Sequence, residues 1–66
     1  MKLRYDEEAD ALYLRLDDST VYESDEVQPG IILDFDASGQ VVGIEILGLR
    51  ARVPLATLKQ IQFEVA

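Results

Sequence analysis

Residues 30–47 read GIILDFDASGQVVGIEIL, and their apolar positions alternate on both sides of a turn. Ile31, Leu33 and Phe35 form one set, and Val42, Ile44 and Ile46 form the other. A period of two marks strands that bury one face. Between the sets, Asp36–Gly39 is turn chemistry: aspartate and serine bond nearby backbone N–H groups, and glycine is free to take a positive φ. Residues directly opposite in an antiparallel pair share a face, so a four-residue loop pairs Phe35 with Gln40, Leu33 with Val42 and Ile31 with Ile44. That register makes one face of the hairpin apolar. The other face carries Ile32, Asp34, Val41, Gly43 and Glu45, a mixed set.

Working outward, Gln28-Pro29-Gly30 is a break that suits a type II turn, and Val21–Val27 (VYESDEV) before it reads as a polar edge strand. Asp17–Thr20 is a turn. Lys2–Tyr5 and Leu12–Leu16 form a first hairpin, with Leu3 and Tyr5 on the face of Leu12, Leu14 and Leu16. In its acidic connection, Asp6 and Asp10 are placed to bond turn amides. Beyond Leu47, Gly48 ends the strand and Pro54 suits a first helical position. Val53, Leu55, Leu58 and Ile61 recur as one side of a helix of about two turns. After Gln60 the period changes, and Ile61, Phe63 and Val65 alternate as in a short terminal strand; a longer helix is the alternative. The expectation is a single α+β domain over residues 1–66. Its antiparallel sheet has four to five strands in two consecutive β-hairpins, covered on one face by the short C-terminal helix.

Composition removes several classes of function. The 66 residues include no cysteine and no histidine, so disulfides and the usual zinc, haem and iron–sulfur ligand sets are missing. Thirteen acidic against six basic residues give a net charge of −7, which opposes the phosphate backbone of nucleic acid. The basic residues Lys2, Arg4, Arg15, Arg50 and Arg52 are too few to reverse that field. No apolar run matches a signal peptide or a membrane span. The expected location is therefore cytoplasmic, with no membrane, nucleic-acid or small-molecule partner and no cofactor.

The stretches YDEEADALYLRL and PGIILDFDASGQVVGIEIL together resemble the small bacterial family known as domain of unknown function 2283 (DUF2283). The resemblance rests on Tyr5, Asp6, Asp10, Leu12 and Tyr13 in the first stretch. In the second it rests on Leu33, Asp34, Gly39, Val42, Gly43, Ile44, Glu45 and Ile46. It covers residues 1–48 well and the tail poorly. It implies a prokaryotic or phage origin and a compact α+β fold, it carries no activity with it, and it suggests a partner-binding or antitoxin-like role.

Three sets of side chains invite a chemical reading. Asp34, Asp36, Ser38, Gly39 and Glu45 reproduce the spacing of a calcium-binding EF-hand loop. Here, however, strands rather than helices flank the loop. In the register above Asp34 lies opposite Val41, and Glu45 stands four residues further on, roughly 13 Å away at 3.3 Å per residue. The metal candidates are then Asp34, Asp36 and Ser38, of which Asp36 and Ser38 also read as ordinary turn residues. Asp34 and Glu45 are also a potential carboxylate pair for acid–base chemistry, but no histidine or evident cleft accompanies them, so the chain is not expected to be an enzyme. Asp6, Glu7, Glu8 and Asp10 are a third acidic cluster, able to attract magnesium or calcium and equally able to be a solvated turn.

Association is the remaining reading. A chain this short buries only about 60% of its unfolded surface, and Ile32, Val41 and Leu47 fall on the second face of the central strands, away from the helix. Phe63 and Val65 lie in a tail that lacks a partner edge. The candidate interface is accordingly Ile32, Val41, Leu47, Phe63 and Val65, and the expected partner is a second copy, as in a homodimer, or another protein.

Overall fold

Val41–Leu47 is the strand on which the molecule is assembled. The computed structural model describes Met1–Ala66, with strands β1 (Lys2–Asp6), β2 (Ala11–Arg15), β3 (Glu23–Gln28), β4 (Ile31–Phe35) and β5 (Val41–Leu47). They form one five-stranded sheet in the order β1-β2-β5-β4-β3, and every neighbouring pair is antiparallel. The placement follows composition. β5, the most apolar strand, takes the centre, while β1 and β3 carry charges that discourage stray pairing at an edge. The molecule is mostly β with a small helical part: a 3-10 turn at Leu49–Ala51 and one helix, α1 (Leu55–Leu58).

The apolar alternation places the faces as expected. Leu3, Leu14, Ile44 and Leu33 stand opposite one another in turn across four strands, as do Tyr5, Leu12, Ile46 and Ile31. These rows define an inner, aliphatic face. The outer face repeats Lys2, Arg15, Gly43, Asp34 and Ser24 in one row, and Arg4, Tyr13, Glu45, Ile32 and Glu26 in the next.

The register within the β4–β5 hairpin differs from the expected one by two residues. Phe35 pairs with Val41 rather than Gln40, and a bulge between Asp34 and Phe35 then brings Asp34 opposite Gly43 and Leu33 opposite Ile44. One residue is added in the loop, where Asp36 N–H donates to the Gln40 carbonyl at 2.9 Å, and one more at the bulge. Two single steps restore parity for Ile31–Asp34 against Gly43–Ile46, so those side chains keep their faces while their partners change, whereas Phe35 and Val41, expected on opposite faces, pair directly at the bulge.

The C-terminal region departs further. α1 is a single turn rather than two, and Pro54 precedes it as an extended residue with ψ 144° instead of opening it. No side chain caps α1, and a helix of one turn has too few hydrogen bonds to sustain itself. Residues 61–66 form neither helix nor strand. A strand needs an edge to bond to, and no backbone hydrogen bond reaches beyond Gln60.

The core is correspondingly slight. Ala11, Val42 and Leu49 are the buried apolar residues, and Val42 alone is a large side chain fully removed from water. Leu55 and Leu58 approach the inner face only at one corner, around Leu3, Tyr5 and Leu12. No helix is long and apolar enough to cross a membrane.

Candidate functional site

On the outer face the two-residue register change has a chemical consequence. With Asp34 opposite Gly43, Glu45 becomes its diagonal neighbour, about 7–8 Å away between α-carbons. The separation of four residues expected from the sequence is thereby corrected. A hydrogen bond between the two carboxyls, which needs a proton on one of them, is the first cause that raises Glu45. That bond, burial and the adjacent negative charge together push the Glu45 carboxyl up to about 7. Asp34 is only 5% exposed and also accepts a hydrogen bond from the Ser24 hydroxyl at 2.7 Å.

Gly43 makes this packing feasible. A Cβ there would lie 3.0 Å from Asp34 Oδ2 and 3.4 Å from Arg15 Cδ, so the absent side chain is the space the carboxylate occupies. A lone glycine inside an apolar strand signals a bulge or a close approach, and in β5 it marks both. This was the one sequence signal that could have located the pair.

Beside the carboxyl pair, Lys2, Arg4, Asp6, Tyr13 and Arg15 line a shallow depression of about 240 Å³. Lys2 lies directly opposite Arg15. The Arg15 guanidinium donates to the Ser19 carbonyl at 2.7 Å.

The other acidic residues are engaged in building turns. Asp36 Oδ1 accepts from Ser38 N–H, the Ser38 hydroxyl and Gln40 N–H, and these bonds, the hydroxyl first, hold its carboxyl below the usual range. Asp34, Asp36 and Ser38 do not converge: one carboxylate sits in the sheet and the other in its own loop. Ser19 lowers Asp17 in the same way, chiefly through its side chain. No three carboxylate, imidazole or thiolate residues gather into a metal-sized cluster.

Tyr5, Asp10 and Arg50 form a clasp that sequence reasoning did not foresee. The Tyr5 hydroxyl donates to Asp10 Oδ1 at 2.7 Å, Arg50 N–H donates to the same carboxylate, and Arg50 Nε stands 3.3 Å from it. The clasp ties the β1–β2 turn to the segment after β5, forty residues away in the chain. Asp10 takes φ 53° to reach it. Accepting the tyrosine proton lowers Asp10, and the same bond raises Tyr5.

The five residues expected at an interface are dispersed. Ile32 is flanked in its row by Glu45 and Glu26, Val41 stands opposite Phe35 at the bulge, and Leu47 is partly exposed at the end of β5. Phe63 and Val65 are 83% and 84% exposed. A larger apolar surface lies on the inner face, where Leu14, Leu33, Ile44 and Ile46 are only half-buried and Leu3 and Leu16 are exposed.

An open antiparallel sheet with a charged face holding a carboxyl pair and a half-buried aliphatic face defines a small β-sheet protein. Its sequence places it further: the profile of the family described as "Protein of unknown function (DUF2283)" matches residues 2–50, and the chain belongs to that family. The matched span holds all five strands, the clasp and the carboxyl pair, and it ends before α1 and the tail. No curated protein and no solved structure gives a match.

Proposed function

We propose that this chain is a non-catalytic protein-interaction module whose docking surface is the inner face of its sheet. The supporting observation is how little of the apolar surface is fully buried: three apolar residues are buried in a 66-residue chain, while the residues of an aliphatic face that spans four strands are only half-buried. Apolar area gains about 25 cal/mol per Å² on leaving water, and large contiguous exposed patches mark interaction sites. Ile61 adjoins that surface beside Leu3, Tyr5 and Leu12. Binding of a hydrophobic fluorescent dye tests the reading: native protein that takes up dye, or that is already associated in solution, supports it, and a dye-silent monomer contradicts it.

A second reading rests on Asp34 and Glu45, since carboxyl groups that share a proton near neutral pH are material for acid–base chemistry. Against it, Asp34 is buried, and the neighbouring depression is lined by Lys2, Arg4 and Arg15 without Glu45. The pair serves better to close the outer face.

A further inference from the structure

We infer that the occupant of the inner face is a second copy of this chain, packed sheet against sheet about a two-fold axis; the inference rests on the interaction-module reading and names its partner. Exposed area favours a second copy. A compact monomer of 7.4 kDa exposes about 4,200 Å² by the usual size scaling, whereas this chain exposes 5113 Å². The excess, about 900 Å², is close to the roughly 800 Å² that each partner contributes to a stable interface. Part of it belongs to the tail, whose Phe63 and Val65 a partner would also cover. The shape agrees: the radius of gyration is 12.7 Å and the shortest extent 20 Å, against about 10.8 Å expected for a compact chain of this length. The molecule is a slab with one layer missing.

The chemistry of the face favours one as well. Across β1, β2, β5 and β4 the inner rows carry no charge, and the row that ends in Asp25 meets it only at the β3 edge. A basic partner gains nothing from such a surface. Two copies of a chain with net charge −7 repel least when their charged outer faces point away from each other, which face-to-face stacking achieves. Sheets stacked in this way lie about 10 Å apart with interleaved side chains, and a two-fold relation lets Leu14, Leu33 and Ile44 of each copy meet their counterparts. The result is a β-sandwich made from two identical halves.

The experiment measures molar mass by light scattering from micromolar to millimolar chain, for the full-length protein, Leu33→Glu and Ile32→Glu. The expected result is twice 7.4 kDa for the unsubstituted chain and for Ile32→Glu, with Leu33→Glu monomeric and its dissociation constant raised about thirtyfold or more. Should Leu33→Glu fail to fold, isotope-filtered NOEs between labelled and unlabelled full-length copies decide the matter: contacts among Leu14, Leu33 and Ile44 methyl groups are expected, and contacts confined to Ile32, Leu47 or the tail overturn the proposal. A monomer throughout the range also overturns it. A monomer that binds hydrophobic dye leaves the interaction module standing with a different partner, whereas a monomer that binds none removes both.

Discussion

The two faces of this sheet are completed in different ways. On the outer face the buried carboxylate has its answer inside the chain: Ser24 donates a hydrogen bond to Asp34, and Gly43 leaves the space it needs. On the inner face the strands present leucine and isoleucine in continuous rows, and a helix of one turn reaches only their corner. The difference teaches that this fold is locally self-sufficient in polar bonding and deficient in apolar burial. Hydrogen bonds of this kind contribute about 1–3 kcal/mol each, and being few they fix geometry without replacing apolar burial.

Substitutions that treat the faces alike should therefore have unlike results. The largest contrast is between neighbours: Leu33→Glu on the inner face abolishes association, while Ile32→Glu on the outer face preserves it. Next comes Gly43→Ala, which sets a methyl group against Asp34 Oδ2 and costs about 1–3 kcal/mol as overpacking, measured by denaturant unfolding with association kept constant. Val42→Ala removes the one large, fully buried side chain and costs a similar 1.5–3 kcal/mol or so.

A smaller effect follows from Glu45. Its folded-state pKa, about 7, is raised above the ordinary 4.5, so the folded protein holds a proton that the unfolded chain has released. The stability from this proton is fully present below about 4.5 and is lost as pH rises through about 7. The thermal midpoint should fall over that window, and Glu45→Gln, which retains a donor to Asp34, should flatten the fall. Asp10, Asp17 and Asp36 act in the opposite sense, because their lowered values favour the folded state above the ordinary 3.8 and lose that contribution in acid. Smallest of all is the response to metal: millimolar calcium or magnesium should leave the unfolding midpoint unchanged, since Asp36 already bonds its own loop and Asp34 lies in the sheet.

Much of the fold was legible because strand alternation is a strong signal. The five sheet strands and the common face of Leu3, Tyr5, Leu12 and Leu14 follow from spacing alone. The β4–β5 register did not, because a loop one residue longer and a bulge of one residue cancel in parity and leave the pattern of apolar positions unchanged. That cancellation hid the meeting of Asp34 and Glu45. Helical spacing at Val53, Leu55 and Leu58 likewise overstated α1, since periodicity registers which side is apolar but not whether enough turns exist to hold. The tail has strand periodicity but bonds to neither edge of the sheet. The clasp of Tyr5, Asp10 and Arg50 spans most of the chain and could not be read from local sequence.

The most direct measurement is the solvent exposure of methyl groups on the two faces, by relaxation from a small, uncharged paramagnetic agent at the concentration where the molar mass is measured. The account predicts that Leu14, Leu33 and Ile44 are protected while Leu47 is strongly relaxed. Relaxation of the inner-face methyls as strong as that of Leu47, at every concentration, would show a face that water reaches freely and would contradict it.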